Sequence, residues 1–166
     1  FLLMESMIKA GIAQGLDPAT AKQLTLQTAL GAANMAFYTR VFDVAVNEGR
    51  TDIFDSAYVD DAVLHTVPEV KGKANCKAYY MNYVTGFSER QFIVKAMFAD
   101  GDKLVKYWQF KGKHTGNFFG IPATGKSVDV IGCTIAKMKD GKITEEQDFM
   151  DNMVLMTQLG LLPASK

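Results

Sequence analysis

Gly112-Lys113-His114-Thr115-Gly116-Asn117-Phe118-Phe119-Gly120-Ile121-Pro122-Ala123-Thr124-Gly125-Lys126 stands between two runs that read as strands, Leu104 to Phe110 and Val128 to Met138. Its second half, Gly120 to Gly125, is a loop by composition. Such a loop either caps a pocket mouth or serves architecture alone. The glycines around His114 suggest a bend or bulge, and His114 reads as structural rather than catalytic.

Downstream, Val128, Val130, Gly132, Thr134, Ala136 and Met138 share one strand face by the period of two. These small and apolar groups suit a cavity wall. Asp140-Gly141 marks a hairpin turn, and Ile143 to Met150 forms the returning strand. There Thr144, Glu146, Asp148 and Met150 are expected on one face, and Glu145, Gln147, Phe149 and Asp151 on the other. A two- or four-residue turn sets Cys133 opposite Asp148; a three-residue turn sets Thr134 there. Both turn types are common, and a slip of one residue changes which side chains meet the pocket. A carboxylate in an apolar pocket takes or gives a proton near neutral pH, the physical case for Asp148 as general acid/base. The commoner fate of a strand Asp is a solvent-facing edge, and spacing alone favours that fate.

Upstream, Phe92 to Phe98 pairs with Leu104 to Phe110 through a Gly101-Asp102 turn. Residues 72–87 read as an amphipathic helix carrying Tyr79, Tyr80 and Tyr83, Ala62 to His65 as a strand, and Asp52 to Tyr58 as a short helix. Asp17-Pro18 opens a long helix, with Asp as N-cap and Pro at its first position, running to about Glu48 before Gly49; Gly31 is a point where it could bend. Residues 1–15 form a helix apolar on most of its circumference: Phe1, Leu2, Leu3, Met4, Met7, Ile8 and Ile12. Asn152 to Leu159 closes the chain as a short helix, with Asp151 as its cap. Helices followed by an antiparallel meander make an α+β fold, a curved sheet wrapped around a long helix as a cone with an open mouth.

The 166 residues carry 18 basic and 18 acidic side chains. Balanced charge without a basic face or a recognition motif argues against nucleic acid as partner. The apolar runs fall short of a membrane span, and the opening lacks the basic start and cleavage site of a signal peptide. Cys76 and Cys133 form no metal-binding spacing, and His65 and His114 are isolated, so no metal is expected. The thiols read as reduced and cytoplasmic. Residues 1–36 hold only Glu5, Lys9, Asp17 and Lys22 as charges, so their apolar surface needs a partner, either the rest of the chain or a second copy.

That N-terminal segment resembles something specific. Phe1-Leu2-Leu3-Met4-Glu5-Ser6-Met7, Gly15-Leu16-Asp17 and Gln27-Thr28-Ala29-Leu30-Gly31-Ala32-Ala33 are similar to the helical dimerisation domain of pyrroline-5-carboxylate reductase. The dinucleotide-binding glycines and the Ser-Pro-Gly-Gly run of that family are absent, so no reductase activity is implied. The resemblance implies a helical hairpin that pairs, as a homodimer or higher homo-oligomer. Residues 1–36 are thus read as a hairpin extension, joined by natural or engineered fusion to a second unit, 37–166.

The second unit resembles the SnoaL-like polyketide (ester) cyclases. The similarity rests on Gly112 to Lys126, Asp140-Gly141-Lys142-Ile143, Asp148, Asp151, Gln158-Leu159-Gly160-Leu161-Leu162-Pro163 and the earlier Asn47-Glu48-Gly49-Arg50-Thr51-Asp52, over about Phe37 to Pro163. It implies an NTF2-like, ketosteroid-isomerase-like cone with a deep pocket, no metal and no organic cofactor. It also implies that Asp148 acts as acid/base in an intramolecular aldol closure, on an apolar carbonyl compound. The family pairs that Asp with a His, and Thr134 stands at the aligned position; the match favours the three-residue turn. The family commonly has Trp where Gln147 stands. Further pocket-lining candidates are His65, Tyr80, Tyr107, Trp108 and Met150, with Phe110 read as core. The alternative to a cyclase or isomerase is a non-catalytic ligand-binding scaffold whose hairpin drives oligomerisation.

Overall fold

The computed structural model describes residues 2–163. Phe1, read above as part of the first helix, and residues 164–166 lie outside the described residues. Helix α1 (Leu2–Ala13) turns at Gly15 into α2 (Pro18–Phe42). Asp17 caps α2 as its sequence suggests, Oδ1 accepting from the amides of Ala19 at 3.0 Å and Thr20 at 3.1 Å. The helix is continuous through Gly31 and gives way to a π-helical turn (Asp43–Asn47) rather than staying α-helical to Glu48. Gly31 is needed for proximity: a Cβ there would stand 3.0 Å from the Cβ of Ala99. Gln27 and Asn34 hydrogen-bond Asp100 and the Gly101 carbonyl, so contact between α2 and the sheet reaches back to Gln27.

After α3 (Ile53–Ala57) come β1 (Tyr58–Leu64), the two-residue β2 (Val70–Lys71) and α4 (Lys73–Gly86). The meander is β3 (Phe87–Asp100), β4 (Lys103–His114), β5 (Ser127–Lys139) and β6 (Lys142–Met150), closed by α5 (Asn152–Gln158). Strand order is β2-β1-β6-β5-β4-β3, antiparallel except for the β1–β6 pair. Strand boundaries move from those the sequence suggests. Strand β1 starts at Tyr58 and ends before His65, and β3 starts at Phe87, five residues before the apolar run that marked it. Arg90 explains the early start. Its guanidinium donates to the carbonyls of Val46, Val84 and Phe87, tying the π-helical turn, α4 and β3 together.

The β5–β6 hairpin departs from both simple registers. Its turn is the two-residue Asp140-Gly141, both at positive φ, yet Thr134 pairs with Asp148. A β-bulge reconciles the two: Met138 pairs with Ile143 and Lys137 with Glu145, leaving Thr144 as the extra residue. Thr144 therefore leaves the face of Glu146 and Asp148, and Ile143 buries in its place. Helix α2, the π-helical turn, α3 and α4 pack on the sheet's inner face around Tyr38, Phe42, Phe54, Tyr58, Tyr80 and Trp108. No helix among the described residues is long and apolar enough to cross a membrane.

Candidate functional site

Strand alternation brings Lys106, Trp108 and Phe110 of β4, Thr134 of β5, and Glu146 and Asp148 of β6 to the inner face. The same alternation corrects one expectation. Tyr107 neighbours Trp108 in sequence and so points outward, 40% exposed, away from the cavity.

Asp148 is half-buried and held at both oxygens. Thr134 Oγ1 donates to Oδ1, and Tyr80 Oη donates to Oδ2 at 3.1 Å. Trp108 Nε1 donates to Thr134 Oγ1 at 2.8 Å, so one donor chain runs Trp108 to Thr134 to Asp148. Burial, together with the charges of Asp148 and Glu146, holds the Tyr80 phenol far above its ordinary pKa, so it stays a donor. The indole needs Gly132 beneath it: a Cβ there would come within 2.3 Å of the ring.

Asp148 stands where two spaces meet. Inward lies a cavity of about 30 Å³, walled by Phe42, Phe92, Trp108, Phe110 and Tyr83 and reached by Lys106, Thr134 and Asp148. That is room for about one water. Outward lies a groove of about 530 Å³, walled by Tyr79, Tyr83, Phe118, Phe119, Met150 and Met156, with Asp148 again on its wall. Phe118, Phe119 and Ile121 come from the glycine-rich loop, which thus borders the groove. His114 anchors that loop: it is fully buried, and Nδ1 meets Thr124 Oγ1 at 3.1 Å.

The remaining candidates separate. Tyr80, Trp108 and Thr134 gather on Asp148. Met150 lies on the groove wall. His65 lies at the groove's edge, its ring between Glu69 at 3.0 Å and Glu145 at 3.1 Å, and those carboxylates raise its pKa. Asp151 caps α5, accepting from the Val154 amide at 3.0 Å. Both cysteines are free, and burial pushes the Cys76 thiol up to about 11.

Two buried charges were not singled out from the sequence. Glu146 is 1% exposed and accepts from the hydroxyls of Tyr38 and Tyr58; burial first, then Asp148, pushes it up to about 7. Lys106 is 2% exposed, with Nζ 3.8 Å from the ring centroid of Phe42, 4.6 Å from that of Tyr38 and 4.7 Å from that of Phe92. Burial pulls it down to about 8, against the opposing pull of Asp148 and Glu146. A signal for both existed: Lys106 has the parity of Trp108, and Glu146 that of Asp148.

Known proteins resemble this chain in sequence and in fold. The family model for SnoaL-like polyketide cyclases matches residues 35–159. The chain belongs to the SnoaL-like polyketide cyclase family. Within the family, aklanonic acid methyl ester cyclase DnrD of Streptomyces peucetius is 27% identical over 121 residues, 70% of this chain and 83% of that protein. The solved structure of TsrD from Streptomyces laurentii superposes with a TM-score of 0.72 at 25% identity, covering 79% of this chain and 97% of that one. A Catenulispora acidiphila protein with a ketosteroid isomerase-like fold shares the architecture at TM-score 0.62 and 13% identity, covering 75% of this chain and 92% of that one. The N-terminal resemblance is found too. The pyrroline-5-carboxylate reductase dimerisation model matches residues 1–51, overlapping the SnoaL-like match along α2. The reductase of Pseudomonas aeruginosa is 58% identical over 41 residues, only 15% of its own length.

Proposed function

We propose that this SnoaL-like protein is a cofactor-free cyclase or isomerase that acts on an apolar carbonyl compound, with Asp148 as general acid/base. The observation that carries the reading is the position of Asp148, fixed by Thr134 and Tyr80 where the apolar cavity meets the groove. The substrate lies in the groove, since the inner cavity has no room for a ring system. The Asp148 carboxylate removes a proton α to a carbonyl. The enolate attacks a second carbonyl of the same molecule, and the carboxylic acid returns the proton to the new alkoxide. Apolar walls keep water from the enolate. Aklanonic acid methyl ester, after which the curated relatives are named, is the first substrate to assay. Asp148→Asn should leave circular dichroism unchanged and lower turnover by about 100-fold or more. Undiminished turnover would remove Asp148 from the mechanism.

A second reading follows from Thr134. Threonine orients a carboxylate but supplies no charge, so a pocket that binds an apolar ligand without converting it fits the same geometry. In that case Asp148→Asn changes affinity alone.

We infer that the N-terminal hairpin drives self-association. Leu2, Leu3, Leu24, Leu26 and Leu30 are exposed on it, and the matched family model is a dimerisation domain. Changing Leu24 and Leu30 to Glu should lower the solution mass measured by light scattering; an unchanged mass assigns assembly elsewhere. Two free thiols fit a reducing, cytoplasmic setting.

A further inference from the structure

Strand β5 is apolar on both faces. Val128, Val130, Ala136 and Met138 are buried inward, yet Ile131 and Ile135 point outward at 52% and 47% exposure. An antiparallel sheet with one solvated face carries polar groups there, whereas apolar residues on both faces mark a sheet covered on both. The neighbouring strands repeat the pattern. Register sets Ile135 beside Val105, and Val105 beside Phe98, which is 68% exposed. It also sets Tyr107 beside Cys133 and Cys133 beside Phe149. Phe98, Val105, Tyr107, Ile131, Ile135 and Phe149 thus form one exposed apolar field across β3, β4, β5 and β6, on the face opposite Trp108 and Thr134. We propose that this outer face is a second self-association surface, separate from the N-terminal hairpin, and that it pairs with the same face of another copy of the chain.

Area and charge favour a second copy. At roughly 600 Å², the field reaches the upper end of what a monomer leaves bare, and with its polar rim it approaches the roughly 800 Å² per partner of a standard interface. Charges at the rim are paired within the chain, Lys111 with Asp129 at 3.3 Å at one end and Lys137 with Glu145 at 3.0 Å at the other. Each end therefore presents both signs, which lets the surface meet a copy of itself without net like-charge repulsion. The pairing is isologous, about a two-fold axis. Cys133, half-buried in the middle of the field between Tyr107 and Phe149, then lies inside the interface. With the hairpin paired as well, the chain assembles beyond a dimer.

The test is light scattering on the full chain and its variants between about 1 and 100 µM. Leu24→Glu with Leu30→Glu removes the hairpin's apolar contact and isolates the sheet face. This hairpin variant should weigh twice the 18.3 kDa of one chain. Adding Tyr107→Lys and Ile135→Lys should bring it to 18.3 kDa, with circular dichroism unchanged because both side chains are at the surface. A one-chain mass for the hairpin variant at every concentration overturns the proposal. So does a two-chain mass that survives the lysines, since the contact then lies on another surface. A one-chain hairpin variant that floats with phosphatidylcholine vesicles would give the face to a bilayer and overturns it equally. Thiol reactivity supplies a readout that needs no lysine variant. Cys76 is fully buried, so the thiol reagent DTNB reports Cys133. In the hairpin variant its rate should fall as chain concentration rises, and a rate independent of concentration overturns the pairing. The hairpin reading is tested separately: equal masses for the native chain and the hairpin variant would sink it and leave the sheet face standing.

Discussion

Glu146 and Asp148 lie on one face of β6, one position apart on that face, and meet opposite surroundings. Glu146 sits at the sealed end of the cone, fully buried, with both oxygens taken by Tyr38 and Tyr58. Asp148 sits at the throat, half-buried, with one donor per oxygen and a groove beside it. Equal chemistry at the two positions thus yields a carboxyl locked into the core and one open to a ligand. An acid becomes a functional candidate through access as well as burial, because a proton must have somewhere to go.

The sharpest way to break that contrast is to neutralise each acid in turn. Asp148→Asn should lose about 100-fold or more of turnover with the fold intact, whereas Glu146→Gln should change turnover by less than about tenfold; equal losses in a steady-state assay would erase the distinction. Stability should sort the pair the other way. Glu146→Ala leaves two buried phenols without their acceptor and should cost about 3 kcal/mol in urea denaturation, while Asp148→Ala, at a solvent-facing throat, should cost about 1 kcal/mol.

The pH dependence sharpens the sealed end. Glu146, pushed up to about 7 when folded, binds more protons in the native than in the unfolded chain between about 4.5 and 7. Its contribution to stability is therefore present below the lower value and lost as pH rises through the upper one. Lys106, pulled down to about 8, binds fewer protons when folded, so its contribution rises from about pH 8 to 10.5. Urea midpoints of the native chain minus those of Glu146→Gln should fall from pH 5 to 7; a flat difference would place Glu146 among ordinary carboxylates.

A smaller effect probes the throat. Tyr80→Phe removes one neutral donor to Asp148 and should cost about 1 kcal/mol or less, lowering turnover a few-fold. Gly132→Ala tests the other arm of the same constellation. A methyl group beneath the indole displaces Trp108 and should cost roughly 1–3 kcal/mol, with a change in tryptophan fluorescence. An unaltered spectrum would show that the ring is held by something other than the missing Cβ.

Most of the fold was legible because it rests on local rules. Asp17-Pro18 announced α2, the Gly101 and Asp140-Gly141 turns announced their hairpins, and the even positions of β5 announced its buried face. The site was legible in part. Asp148 and Thr134 were named and stand opposite each other, but the turn expected to bring them there was the wrong length. Tyr107 and Trp108 were named together although neighbouring residues of a strand cannot share a face. Lys106 passed unremarked because a strand lysine is usually a solvated one.

What the amino-acid order determined alone is the kind of element at each place and the parity of its side chains, since capping, turn chemistry and a period of two act over a few residues. What tertiary structure alone decided is which parity meets which. The Thr144 bulge sets the β5–β6 register, Arg90 extends β3 back to Phe87, and the packing of α2 and α4 on the sheet buries Glu146 while leaving Asp148 at the throat. Those outcomes depend on contacts between residues far apart in the chain, whose geometry no local pattern encodes.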